Sequence, residues 1–101
     1  MANTAISIPF YISKDGAALT GQAAEMNFEN LFTVDSVDKL AAAPAIQEIG
    51  GGWYKFDVAY GISPFDSGDL TGVIDADKDG VNGLTDTERY VPVQVKLAYY
   101  A

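Results

Sequence analysis

The sequence predicts an all-β protein, a β-sandwich or small barrel built from about seven short strands. Three observations carry this. Apolar residues alternate with polar ones in several segments, which is the period of a strand with one buried face. Turn residues (Gly, Pro, Asp) punctuate those segments at fairly regular spacing. Gly50, Gly51 and Gly52 precede the alternating aromatic run Trp53-Tyr54-Lys55-Phe56-Asp57-Val58, a tight turn feeding a half-buried strand.

Taken in order, Ile6, Ile8, Phe10 and Ile12 alternate with Ser7, Pro9 and Tyr11 in a first strand. Pro9 has no N–H for a ladder, so this strand is expected at a sheet edge. Lys14-Asp15-Gly16 signals a turn, and Leu19-Thr20-Gly21 a bend into the next strand. There Met26 and Phe28 face inward while Glu25, Asn27 and Glu29 face out. Two readings are open for residues 33–43. Asp35 caps a short helix over about 36–42, where Ala and Leu are good formers, or the span is a surface loop stopped by Pro44.

Residues 45–49 read as a short strand, and Gly50–Gly52 turn with positive φ at no steric cost. Tyr54, Phe56, Val58 and Tyr60 then share one face, and aromatic side chains of this kind bury large areas. Trp53, Lys55 and Asp57 share the other. Gly61–Gly68 is a loop with Pro64, Asp66 and Ser67 as its turn chemistry, and residues 70–74 form a further strand. In the last strand Val91, Val93, Val95, Leu97 and Tyr99 line one face, with Tyr90, Pro92, Gln94, Lys96 and Ala98 on the other. No internal repeat or low-complexity tract interrupts the pattern, and residues 1–101 read as one domain.

Composition narrows the function. A net charge of −8 disfavours nucleic acid, because neutralising phosphate takes clustered Lys and Arg. It equally disfavours an anionic membrane surface. No apolar run reaches the roughly 18 residues that cross a bilayer. The N-terminal residues Met1-Ala2-Asn3-Thr4-Ala5 have no basic region and no long apolar run, so no signal peptide is expected. Cysteine and histidine are both absent. Hence no disulfide staples the fold, and neither a thiolate nor an imidazole is on hand for zinc or for activating a serine. The chain reads as non-enzymatic.

The loop Asp75-Ala76-Asp77-Lys78-Asp79-Gly80-Val81-Asn82-Gly83-Leu84-Thr85-Asp86 carries the densest chemistry. Calcium takes six to eight oxygen ligands, and alternating carboxylates with a glycine at the sharp turn wrap such an ion. Asp75, Asp77 and Asp79 stand at positions one, three and five, the Val81 carbonyl at seven and Asp86 at twelve. The loop resembles the calcium loops of EF-hand and dockerin-type motifs, and a structural Ca2+ is the implied cofactor. It departs from them in Asn82 at position eight and in strands where flanking helices stand. The alternative is a polar connection whose carboxylates are solvated.

Trp53 lies opposite Tyr54 and Phe56 in the alternation. It packs under a neighbouring loop, or it offers an aromatic surface to a protein or a sugar ring. Tyr11 and Tyr100 are the other aromatic interface candidates.

Pro9-Phe10-Tyr11, Leu19-Thr20-Gly21, Glu48–Val58 with its Gly-Gly-Trp-Tyr phrase, Leu70-Thr71-Gly72-Val73-Ile74-Asp75 and Glu88-Arg89-Tyr90-Val91-Pro92-Val93 follow one another along the chain. Together they resemble small Ig-like β-sandwich modules encoded among the structural genes of tailed bacteriophages and prophages. The resemblance implies an Ig-like sandwich that serves in a virion, as a tail, neck, baseplate or fibre component or as a capsid decoration. It implies manufacture in the host cytoplasm, and contacts with other virion proteins and with copies of itself. A calcium-stabilised carbohydrate-binding or adhesion module is the alternative.

Overall fold

The computed structural model describes residues 5–60, 62–65 and 68–96. Among the described residues the chain forms eight strands: β1 (Ile6–Tyr11), β2 (Ser13–Lys14), β3 (Ala17–Ala18), β4 (Asn27–Thr33), β5 (Gln47–Gly50), β6 (Trp53–Val58), β7 (Leu70–Asp75) and β8 (Tyr90–Val95). Two of them, β2 and β3, are a two-residue hairpin whose turn residues Asp15 and Gly16 both have positive φ. That backbone matches the twist of the flanking strands. The other six make two antiparallel three-stranded sheets, ordered β1-β6-β5 and β4-β7-β8. The all-β expectation holds, and β1 is an edge strand as Pro9 requires.

Outside β4 the inward faces are those the alternation indicates. Phe10, Ile12, Tyr54, Phe56 and Val58 come from the first sheet and its flank, and Phe28, Leu31, Leu70, Ile74, Val93 and Val95 from the second. Phe28 and Phe56 meet edge to face across the two sheets, their ring centroids 4.9 Å apart. This geometry sets a positive ring edge against a negative ring face. The Tyr54 hydroxyl donates to the Leu19 carbonyl at 2.6 Å, so the buried ring also ties down the bend at Leu19-Thr20-Gly21.

Residues 33–43 follow the loop reading, and Asp35 caps no helix. They are a turn that closes with a single 3-10 turn, Leu40–Ala42. No longer helix forms, because Leu31 and Thr33 at the end of β4 take the backbone of Lys39 and Val37 as their partners. Another 3-10 turn, Ala23–Glu25, precedes β4, and a short α-helix, α1 (Asp86–Arg89), precedes β8. Leu97, Tyr99 and the interface candidate Tyr100 lie outside the described residues.

Candidate functional site

β7 runs out of the core into the acidic loop. Its last residue, Asp75, is buried with the side chain only 5% exposed. α1 carries Arg89 back over it. Arg89 donates from Nε to Asp75 Oδ1 at 2.7 Å and from a terminal nitrogen to Oδ2 at 2.9 Å. A two-pronged pair of this kind is the strongest ordinary side-chain contact. Asp75 Oδ1 also accepts the Asp77 N–H, and Ala76 N–H donates to the Arg89 carbonyl. The guanidinium holds the Asp75 carboxyl below the usual carboxylate range, and Arg89 is pushed up in return.

Asp77 is buried as well. Its Oδ1 accepts the Asn82 N–H and its Oδ2 the Leu84 N–H, at 3.1 and 3.2 Å, so one carboxylate organises the whole turn. Glu88 does the same for the far end. Its Oε1 accepts the Thr85 N–H, which opens α1, and its Oε2 accepts the Asp15 N–H of the β2–β3 hairpin. These two donors hold its pKa down.

The five residues with calcium-loop spacing are therefore not gathered around one point. Asp75 faces Arg89 and Asp77 faces backbone N–H groups. Asp79 is exposed beside Glu25, Val81 is exposed, and Asp86 sits exposed in the first turn of α1. Among the described residues no group of three or more acidic side chains is placed to hold a metal ion. Of the five, Asp75 and Asp77 have their carboxylate oxygens turned to protein donors. The spacing rule identified the carboxylates but not their partner. Arg89 was legible only through the Thr85-x-x-Glu88 pattern, a capping box that marks a helix start and brings the next residue back over β7.

Glu25 and Asp79 form a second acidic contact. Their carboxyl groups approach each other, and Asp79 together with desolvation pushes the Glu25 pKa up. The buried Glu25 Oε2 has no hydrogen-bond donor among the described residues. A carboxyl whose folded pKa exceeds its unfolded one loses stability as pH rises through that interval. Glu25→Gln is therefore expected to melt higher than the parent at neutral pH, and to lose that advantage below about pH 4. Thermal melts at the two pH values check it. A variant melting no higher than the parent at neutral pH would contradict it.

On the outer face of the first sheet, Tyr11 and Trp53 stand opposite each other in register. Their ring centroids are 5.3 Å apart with planes inclined at 57°. Trp53 is 47% exposed and Tyr11 44%. Two residues singled out separately in the sequence thus form one surface feature. Beside it on the same face, Asp57 gathers Ser7, Lys55 and Gln47 into a polar network, with Ser7 Oγ donating at 2.6 Å. Ser7 first, and Lys55 and Gln47 with it, hold the Asp57 pKa down. Comparison with known proteins brings no match to the chain from any family model, curated protein or solved structure.

Proposed function

We propose that this chain is a non-enzymatic structural module of a virion, made in the host cytoplasm. It is assembled in multiple copies as a tail, neck or fibre component or as a capsid decoration. Its contact surface is the outer face of the β1-β6-β5 sheet. The observation that carries the reading is the Tyr11–Trp53 pair, two large rings left half exposed on a rigid sheet. Aromatic residues of this size dominate the energetics of protein interfaces. The phage-module resemblance of the Gly-Gly-Trp-Tyr phrase supports the same face, since Trp53 belongs to it.

Quantitative mass spectrometry of purified particles tests the placement. A ratio to the major capsid protein near parity means capsid decoration, a small ratio means tail, neck or fibre, and absence of the chain ends the reading. The surface is tested separately. Trp53→Ala is expected to leave the melting temperature within a few degrees of the parent, because the ring is half in water. Incorporation into particles is expected to fall about tenfold or more, the cost of losing an interface aromatic. Unchanged incorporation would move the contact elsewhere.

One observation favours a second reading, a carbohydrate-binding or adhesion module. The same ring pair has Asp57, Gln47 and Lys55 beside it, an aromatic platform next to polar groups. A glycan array distinguishes the two, with Trp53→Ala as the control for any spot that binds.

A further inference from the structure

The hydrogen-bond register determines which backbone groups point off the open edges of the two sheets. Within the described residues β1 and β8 are each paired on one side only. Paired residues in an antiparallel ladder alternate between those that exchange hydrogen bonds and those that do not. One pair beyond Tyr11–Trp53, Ile12 N–H donates to the Gly52 carbonyl. That makes Phe10–Tyr54, Ile8–Phe56 and Ile6–Val58 the bonded pairs. The backbone groups of Ser7, Pro9 and Tyr11 consequently point away from β6, off the sheet.

The same construction applies at the other end of the sandwich. Ala76 N–H donates to the Arg89 carbonyl one pair beyond Asp75–Tyr90. Ile74–Val91, Gly72–Val93 and Leu70–Val95 are then bonded, and Tyr90, Pro92 and Gln94 face away from β7, where the Tyr90 N–H already donates to the Asp86 carbonyl of α1. In both open strands the middle one of these three positions is a proline. The edge of β4 is closed in another way. Its outward residues Leu31 and Thr33 are bonded to Lys39 and Val37 of the following turn. β5 is a short strand, interrupted by an irregularity between Glu48 and Gly50.

We propose that Pro9 and Pro92 act as a matched pair of edge guards, preventing a second copy of this chain from extending either sheet by strand addition. An incoming strand would need the N–H groups of positions 7, 9 and 11, or of 92 and 94, since that of Tyr90 is already taken by the Asp86 carbonyl. The proline's is missing in each case, and a pyrrolidine ring stands where the partner's carbonyl would lie. Copies that meet do so through sheet faces. This is a property of the edges and holds whichever partner meets the Tyr11–Trp53 face.

The test is the double variant Pro9→Thr, Pro92→Thr, which restores both donors with a strand-favouring residue. Sedimentation velocity over a concentration series is expected to show association at concentrations about tenfold or more below the parent, the effect of one regained hydrogen bond per edge. The gain is expected to persist when Trp53→Ala is added. A folded double variant that associates no more than the parent, or whose gain disappears with Trp53→Ala, overturns the proposal. Hydrogen exchange on the concentrated parent gives a result independent of the variant's folding. The Ser7, Tyr11 and Gln94 amides are expected to exchange fast, and protection that grows with concentration would show that the edges do pair.

Discussion

Asp75→Ala is expected to lower the melting temperature by roughly 8–24 °C, taking about 2–3 kcal/mol for the lost contacts and about 4–8 °C per kcal/mol for a domain of this size. The substitution removes both bonds to Arg89 and the acceptor of the Asp77 N–H together. Arg89 is partly exposed and can turn to water, so the loss stays below that of stranding a fully buried charge. Asp75→Asn is expected to fall between parent and Ala, keeping an acceptor for Asp77 while losing the charge.

The pH dependence has a definite sign. The folded pKa of Asp75 lies below its unfolded value, so its contribution is complete above about pH 4 and disappears as pH falls through the folded value. Parent and Asp75→Ala are expected to converge in strong acid. Calcium or a chelator is expected to leave the parent's melting temperature unchanged, since Asp75 and Asp77 are already bonded within the protein. A calcium-dependent rise would show that the loop re-forms around the ion.

How legible this was differs along the chain. Alternation alone predicted the inward face of β1 at Phe10 and, just past it, Ile12, of β6 at Tyr54, Phe56 and Val58, and of β8 at Val93 and Val95. In those segments local period and tertiary burial agree. It failed to extend through β4, where a register shift between Phe28 and Asn30 moves the buried set from Phe28 to Leu31 and Thr33. An inserted residue changes which parity faces the core, and nothing in Asn27-Phe28-Glu29-Asn30 announces it. At the acidic loop, spacing described carboxylates as free donors. Their actual partners are an arginine brought over by α1 and backbone N–H groups two to seven residues away, contacts that depend on the folded turn. The Tyr11–Trp53 pair was readable only as two separate interface candidates, because their meeting depends on the register between strands far apart in sequence.

That register shift makes Gly72 the second position of large expected effect. Gly72 is buried in β7, the central strand, and is paired with Leu31 on one side and Val93 on the other. A Cβ built there would stand 2.6 Å from the Asn30 carbonyl oxygen and 3.2 Å from Leu31 Cδ1. The closer atom is backbone in the irregular part of β4, which cannot rotate aside as a side chain does. Gly72→Ala is accordingly expected to cost about 3 kcal/mol, the upper part of the range for overpacking, and to lower the melting temperature by about 12–24 °C. Adding Leu31→Val, which takes away the terminal methyl but leaves the carbonyl, is expected not to restore it. Gly80→Ala separates crowding from conformation. Gly80 has φ +70° with no atom near its would-be Cβ, so only the left-handed backbone is penalised, at about 1–2 kcal/mol. A Gly72→Ala variant melting as high as Gly80→Ala would mean that β4 yields at its irregularity. If β4 holds, the displacement passes along β7 instead, and the Arg89 side-chain resonances should shift because Asp75 ends the same strand three residues away.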